Sequence, residues 1–298
     1  MSVLLEYVAP AGTVWDLRTG PVRMAPGAQG LGLLSLTDFT TSRGPRGGQR
    51  RTGWSVNPQD LVLPMKAGYP GWTARTWDDV DEAWWKDVRP HLDGAILRAT
   101  YSVGALVKSV REVPVRTKND GPFQWDQDPS DVETIDFDWN LIADVPWWLG
   151  PKQSTPFGIT AAGQPFYGAG GYGPPFYISA GNSNGSQSIT NPGDVPAWPV
   201  WTLNGPIPAF TITHADGSTI SGTPNLAVGE RLVIDTTEDE KSATRIAADG
   251  STSDFTPSLA SWGWRAIPAG TSTTIGVAIS GTGGATAEIR PRYFRPFH

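Results

Sequence analysis

The sequence has no cysteine among its 298 residues. That excludes a disulfide framework, a thiolate zinc site and a cysteine nucleophile, so the fold must stand on its core alone. Histidine is nearly as scarce: His91, His214 and His298 lie far apart and lack the i,i+4 spacing of a helical metal site, so no metal is expected. No apolar run approaches the ~18 residues that a membrane span needs. The opening MSVLLEYVAPAG also lacks the basic n-region and long apolar core of a signal peptide. A soluble chain without a membrane partner is expected. Basic charge is in deficit too, with 23 Lys and Arg against 29 Asp and Glu and a net charge of -6. This argues against the broad basic footprint of a nucleic-acid binder, and no sequence-specific nucleic-acid partner is expected.

Turn formers are abundant, with Gly 35 and Pro 27 together making about one residue in five. The length exceeds the commonest domain size, so two domains are expected rather than one. From Ile189 onward the chain reads as a complete all-β module. In Pro208 to His214 the residues Phe210, Ile212 and His214 share one face while Thr211 and Thr213 share the other, the two-residue period of a half-buried strand. Further strands are expected at Arg231 to Asp235, Ala243 to Ala247, Thr273 to Ile279 and Ala285 to Tyr293. Asp216-Gly217, Asp249-Gly250 and the glycines near Gly281 separate them. Short strands at this spacing suggest a β-sandwich over 188–298.

Residues 1–150 mix strands with one helix, an α+β domain in a chain that is otherwise mainly β. Strands are expected at Val3 to Val8, Leu31 to Thr37, Asp60 to Met65, Ala95 to Tyr101, Leu106 to Arg116 and Glu133 to Ile142. In the last, Ile135, Phe137, Trp139 and Leu141 alternate with a polar, largely acidic set. The helix is expected from Trp77 to Arg89, with Thr76 and Asp79 as a capping-box-like pair. Trp77, Val80, Trp84 and Val88 form its buried stripe, and Pro90 stops it. Asp78, Asp79, Asp81 and Glu82 would complement the positive end of the helix dipole.

Between these parts, 151–187 is rich in Gly, Pro and aromatics and reads as a linker or extended arm. Its aromatics Phe157, Phe166, Tyr167, Tyr172, Phe176 and Tyr177 suggest that it lies against protein surface. Gly168, Gly170 and Gly173 satisfy the dinucleotide-binding spacing, but Pro174 and Pro175 prevent the helix that the motif needs, so no cofactor is expected.

The carboxylates Asp235, Glu238, Asp239 and Glu240 crowd one stretch without the spacing of a calcium loop, and a solvated hairpin tip is the simpler reading. Neither a G-x-S-x-G elbow nor a P-loop is expected, and no catalytic residue is assigned. Arg43, Arg46, Arg50 and Arg51 in SRGPRGGQRR form a basic, glycine-rich loop. In an acidic chain, and without interleaved aromatics, it reads as a protein interface rather than a nucleic-acid contact. Among the 14 Trp, Trp84 lies on the helix stripe, whereas Trp85 points away from it and is a candidate for packing against a partner. Trp198, Trp201, Trp262 and Trp264 are read as core residues, with an exposed sugar platform as the sharper alternative.

The N-terminal β-rich half with helix TWDDVDEAWWKDVRPHL, the strand ETIDFDWNLIADVPWW, and the C-terminal ITNPGDVPAWPVWTLNGP, GERLVIDT and WGWRAIPAGTSTTIGVAI together resemble the distal tail, or minor tail, proteins of long-tailed siphophages of the actinobacterial type. The resemblance implies a structural virion protein at the distal end of the tail, made in the host cytoplasm. It implies a homohexameric ring of N-terminal domains and outward-pointing, galectin-like C-terminal sandwiches. The implied partners are other copies of itself, the tail tube protein, the baseplate hub or tail-associated protein, and the tape measure protein. A carbohydrate-binding adhesin of the tail tip is the alternative expectation.

Overall fold

A computed structural model of the chain describes residues 2–32, 34–42, 49–69, 73–118, 134–157, 182–238 and 240–297. The chain divides into two compact units, one formed by Met1–Gly150 with Tyr293–His298 and the other by Pro151–Arg292.

In the first unit the strands are β1 (Ser2–Val8), β2 (Val14–Asp16), β3 (Val22–Met24), β4 (Leu36–Ser42), β5 (Gln49–Val56) and β6 (Gln59–Ala67). After helix α1 (Ala74–Asp87) come β7 (Ala95–Val103), β8 (Leu106–Thr117), β9 (Ile135–Ala143) and β10 (Trp148–Leu149). The main sheet runs in the order β2-β1-β7-β8-β9-β6-β3, with β10 attached to β8. Its register follows from alternation. On β6, Leu61, Leu63, Met65 and Ala67 are buried, and β9 sets Leu141 opposite Leu61 and Trp139 opposite Leu63, so the two apolar sets share one face.

Trp84 and Val88 carry α1 into this core. The Trp139 ring meets Trp84 at 4.8 Å and Tyr7 at 4.9 Å, both edge to face. The C-terminal end of the helix is pinned twice: the Tyr7 hydroxyl donates to the Asp87 carbonyl and Trp15 Nε1 donates to its carboxylate, each at 2.9 Å. Burial, helped by the nearby Asp87 charge, pushes the Tyr7 hydroxyl far above its usual range. It therefore stays a proton donor at any ordinary pH.

The second unit contains β11 (Gln153–Phe157), β12 (Asn182–Asn191), β13 (Val200–Asn204), β14 (Phe210–Thr213), β15 (Thr219–Gly222), β16 (Arg231–Asp235), β17 (Ser242–Ile246), β18 (Thr252–Asp254), β19 (Leu259–Trp262), β20 (Thr271–Ser280) and β21 (Gly284–Ile289). Two antiparallel sheets, β11-β21-β13-β16-β17-β18 and β12-β20-β14-β15-β19, enclose one core. Trp201, Leu203 and Ile234 come from the first sheet, and Ile212, Ile220 and Ile275 from the second, all at 0% exposure. This is a β-sandwich.

Several expectations are corrected. The helix begins at Ala74, with the Thr73 hydroxyl accepting from the Thr76 N–H, so no carboxylate sits in its first turn. The strand expected at Leu31 to Thr37 begins only at Leu36. The strand expected from Ala285 to Tyr293 ends at Ile289, and a separate β22 (Arg292–Tyr293) pairs with β10. The segment expected to be a linker contains β11, whose Phe157 is 3% exposed, and the start of β12. Residues 158–181, which hold Gly168, Gly170, Gly173, Phe166, Tyr167, Tyr172, Phe176 and Tyr177, lie outside the described residues.

Candidate interaction surface

β4 and β5 form a two-stranded sheet of their own. Leu36 through Thr41 are all exposed, including Leu36 at 42% and Phe39 at 52%. LTDFTTS has no sustained apolar alternation because neither face of this strand rests on a core. Cross-strand bonds hold it instead. The Thr52 hydroxyl donates to the Phe39 carbonyl at 3.0 Å, Arg51 pairs with Asp38 at 2.6 Å, and Thr37 bonds Asn57 at 3.0 Å near the base. A two-stranded sheet with one strand exposed from Leu36 to Thr41 is marginal in water by itself and gains stability when another surface covers it.

Arg43 and Arg46 belong to the connection between β4 and β5 and lie outside the described residues. Arg50 stands on β5 opposite Thr41, its side chain likewise outside the description, whereas Arg51 is exposed. Of the four arginines, the structure places Arg50 and Arg51 on β5.

Trp85 is half-buried against the first unit's own core, which narrows the expectation that it packs on a partner to the part of the ring left open. It also hydrogen-bonds the Asp81 carboxylate. Asp81 is half-buried, not on a fully solvated face as the helical pattern suggested. Burial is the largest influence on it and raises its pKa, the Trp85 hydrogen bond opposes that, and the Asp78 charge raises it further. Both residues line a cavity of about 10 Å³ with Trp77, Val80, Trp84 and Phe137, room for no more than a single water.

Of the acidic stretch, Asp235 ends β16, and Glu238 and Glu240 sit in the connection to β17; Asp239 lies outside the described residues. Glu238 accepts from Trp198 Nε1 at 3.0 Å, which ties that indole down. Among the described residues no group of three or more His, Asp or Glu is arranged to hold a metal ion. His214 is buried as its face predicts. Burial lowers its pKa, with the Arg265 charge acting the same way and Asp216 opposing. Its Nε2 has no hydrogen-bond partner.

The candidate sugar-platform tryptophans fall into different environments. Trp201 is at 0% exposure, Trp264 packs against the core, and Trp262 at the sheet edge is 53% exposed, its indole N–H donating to the Leu259 carbonyl at 3.0 Å.

Three features escaped the sequence reading. Arg111 is buried at 2% exposure, its guanidinium 3.6 Å above the Tyr293 ring and its Nη1 donating to the Arg295 carbonyl at 2.7 Å. The alternation of β8, which puts Arg111 on the face of Val113 and Val115, was the available signal. A surface groove of about 180 Å³ lies beside the Arg116–Asp144 pair, between Ala95, Ile142 and Val145. Gly181 to Gly185 has the G-x-S-x-G spacing, but Ser183 lies within β12, paired to β20 along its length, and not at a strand-to-helix elbow.

No protein-family model matches the chain, and no curated protein matches it. Solved structures do. The crystal structure of the Dit protein of phage SPP1, described as a paradigm of the hub adsorption apparatus in phages infecting Gram-positive hosts, aligns with a TM-score of 0.61 at 13% identity, over 98% of this chain and 99% of that one. Chains of the phage P2 baseplate in its activated conformation, with Ca and with Sr, align over the full length of both chains at 13% identity, with TM-scores of 0.51 and 0.53. The chain has the fold of these phage hub and baseplate proteins.

Proposed function

We propose that the chain is a structural protein of a phage tail tip: a ring-forming adaptor that joins the tail tube to the baseplate hub or tail-tip complex. The observation that carries this reading is the end-to-end fold likeness to SPP1 Dit, 98% of one chain on 99% of the other, which takes in both units and not a single common domain. In this reading the first unit builds a hexameric ring and the second is a galectin-like sandwich. The neighbours are further copies of the chain, the tail tube protein, the hub or tail-associated protein and the tape measure protein. One feature of the chain supports it. The β4 strand, exposed from Leu36 to Thr41 in a two-stranded sheet of its own, offers a surface that gains from being covered.

Electron microscopy and sedimentation velocity on the purified protein test the proposal. Closed rings of six copies are expected, and a particle that remains a monomer at high concentration overturns it. The same protein incubated with peptidoglycan should release no soluble fragments. Turnover that disappears in Glu238→Gln would make the chain a hydrolase. One observation favours a second reading, a carbohydrate-binding adhesin of the tail tip: the exposed face of Trp262, free to stack on a sugar. A glycan array separates the two readings, since binding lost in Trp262→Ala supports the adhesin.

A further inference from the structure

Two hairpins of the second unit carry the same turn sequence. Ala215-Asp216-Gly217-Ser218-Thr219 leads from β14 into β15, and Ala248-Asp249-Gly250-Ser251-Thr252 leads from β17 into β18. The two turns are built alike. The Gly217 N–H donates to the His214 carbonyl at 2.9 Å, and the Gly250 N–H to the Ala247 carbonyl at 3.0 Å. Both glycines take a left-handed backbone, with φ of 83° and 86° and open space around them. In each turn the aspartate Oδ1 accepts from the N–H and the hydroxyl of the serine two residues on, at 2.9 and 2.6 Å from Ser218 and at 2.9 and 2.7 Å from Ser251. An aspartate bonded in this way curls its carboxyl over the intervening peptide, towards the glycine nitrogen.

The second carboxylate oxygen is where they differ. Arg265 Nε donates to Asp216 Oδ2 at 2.7 Å, whereas none of the ion pairs among the described residues uses Asp249. The Arg265 hydrogen bond, together with those from Ser218, holds the Asp216 carboxyl well below the usual carboxylate range. Asp249 is lowered by the Ser251 hydrogen bonds, with no cation contributing. The strands differ as well. β15 lies between β14 and β19 and buries Ile220, while β18 is a three-residue edge strand, exposed throughout. The turn at Asp249 is therefore the freer of the two to change shape.

We propose that Asp249-Gly250 is a site of spontaneous covalent modification, isomerising to isoaspartate, and that Arg265 protects the twin step at Asp216-Gly217. The Gly250 nitrogen attacks Cγ of Asp249, and a C–N bond forms. The hydroxyl of the protonated carboxyl leaves with the Gly250 amide proton as water, closing a succinimide ring. Water then adds to one ring carbonyl and a C–N bond breaks. Attack at the former side-chain carbonyl restores aspartate, and attack at the main-chain carbonyl leaves the backbone running through Cβ and Cγ. One water is lost and one regained, so mass and charge are unchanged and no oxidant is needed. Glycine permits the attack because no side chain shields its nitrogen. A guanidinium that keeps the carboxylate ionised withholds the proton its oxygen needs in order to leave. The extra backbone carbon lengthens the turn, and β18, which buries no side chain, absorbs the change.

The test ages the full-length chain and its Arg265→Gln variant in neutral buffer, after thermal melts confirm that the variant folds. Electron-transfer fragmentation of the digested protein then reads isoaspartate at each position. In the unmodified chain it should build up at Asp249 at least about threefold faster than at Asp216, the modest factor that one exposed ion pair supplies. Arg265→Gln should raise the rate at Asp216 and leave that at Asp249 unchanged. Equal rates at the two positions in the unmodified chain, or no isoaspartate at Asp249, overturn the proposal whether or not the variant folds. A rate at Asp216 that stays the same in Arg265→Gln, or rises no more than that at Asp249, overturns the protective role of Arg265.

Discussion

Tyr293→Ala perturbs a place where the end of the chain completes the core of its beginning. Tyr293 is 8% exposed, belongs to the first unit's core, and lies under the guanidinium of Arg111, which is itself 2% exposed. Removing a buried aromatic ring costs about 3–5 kcal/mol. The lost contact with a desolvated cation adds up to about 2 kcal/mol, so a loss of about 3–7 kcal/mol is expected. That is a large part of the ~5–15 kcal/mol that holds a typical domain together. Tyr293→Phe keeps the ring and should cost less than about 1 kcal/mol.

Urea unfolding followed by far-UV circular dichroism, resolved into one transition per unit, reads the effect. The transition of the first unit should move and that of the second should not. Hydrogen exchange localises the change, with faster exchange expected along β8 and β10. If Tyr293→Ala and Tyr293→Phe fall within about 1 kcal/mol of each other, the C-terminal residues do not hold the first unit together and the reasoning fails. A fragment ending at Gly150 lacks this residue, so it should be less stable than the same fragment supplemented with a peptide of residues 293–298.

The second unit should unfold cooperatively as residues 151–292, whereas a piece starting at Asn182 loses β11 and the buried Phe157 ring, 5.3 Å from Trp201, and should be about 3–5 kcal/mol weaker in urea titration. In the first unit, Trp84→Ala should cost about 3–5 kcal/mol. Asp81→Ala should cost about 1 kcal/mol through the hydrogen bond to Trp85 and not be neutral. The pKa of His214 is lower in the folded chain than in the unfolded one, so the unfolded state takes up the proton first. Its contribution to stability is therefore fully present above about pH 6.5 and lost as pH falls below it. Thermal melts between about pH 7 and pH 5 should show that slope, and His214→Phe should remove it.

How much was legible depends on whether the signal was local. The alternation of β9, β14 and β16, with Phe210, Ile212 and His214 on one buried face, is written into consecutive residues and needs a core on one side only. The stripe of α1 was equally readable from Trp84 and Val88. Its start was misplaced by one turn because Thr73 and Thr76 both have a hydroxyl suited to capping, and only the backbone path chooses between them. The β4 strand was placed too early, and β12 was missed, for a different reason. LTDFTTS and NSNGSQSITN owe their extended form to backbone pairing with β5 and β20, and residues facing water on both sides or lying at a sheet edge carry little apolar period.

The sequence by itself determined a mainly β chain with one amphipathic helix, no thiol chemistry, and an arginine cluster in an acidic background, because composition, charge and two-residue alternation are properties of neighbours along the chain. Only the tertiary structure decided that Arg111 is buried, that Tyr293 closes a core begun near residue 5, that Phe157 belongs to the sandwich and not to a linker, and that Asp81 shares a cavity with Trp77 and Trp85. The physical reason is the same for each. Burial is set by which distant segments pair: the alternation of β8 puts Arg111 on the face of Val113 and Val115, but nothing in that segment says that Tyr293 covers it.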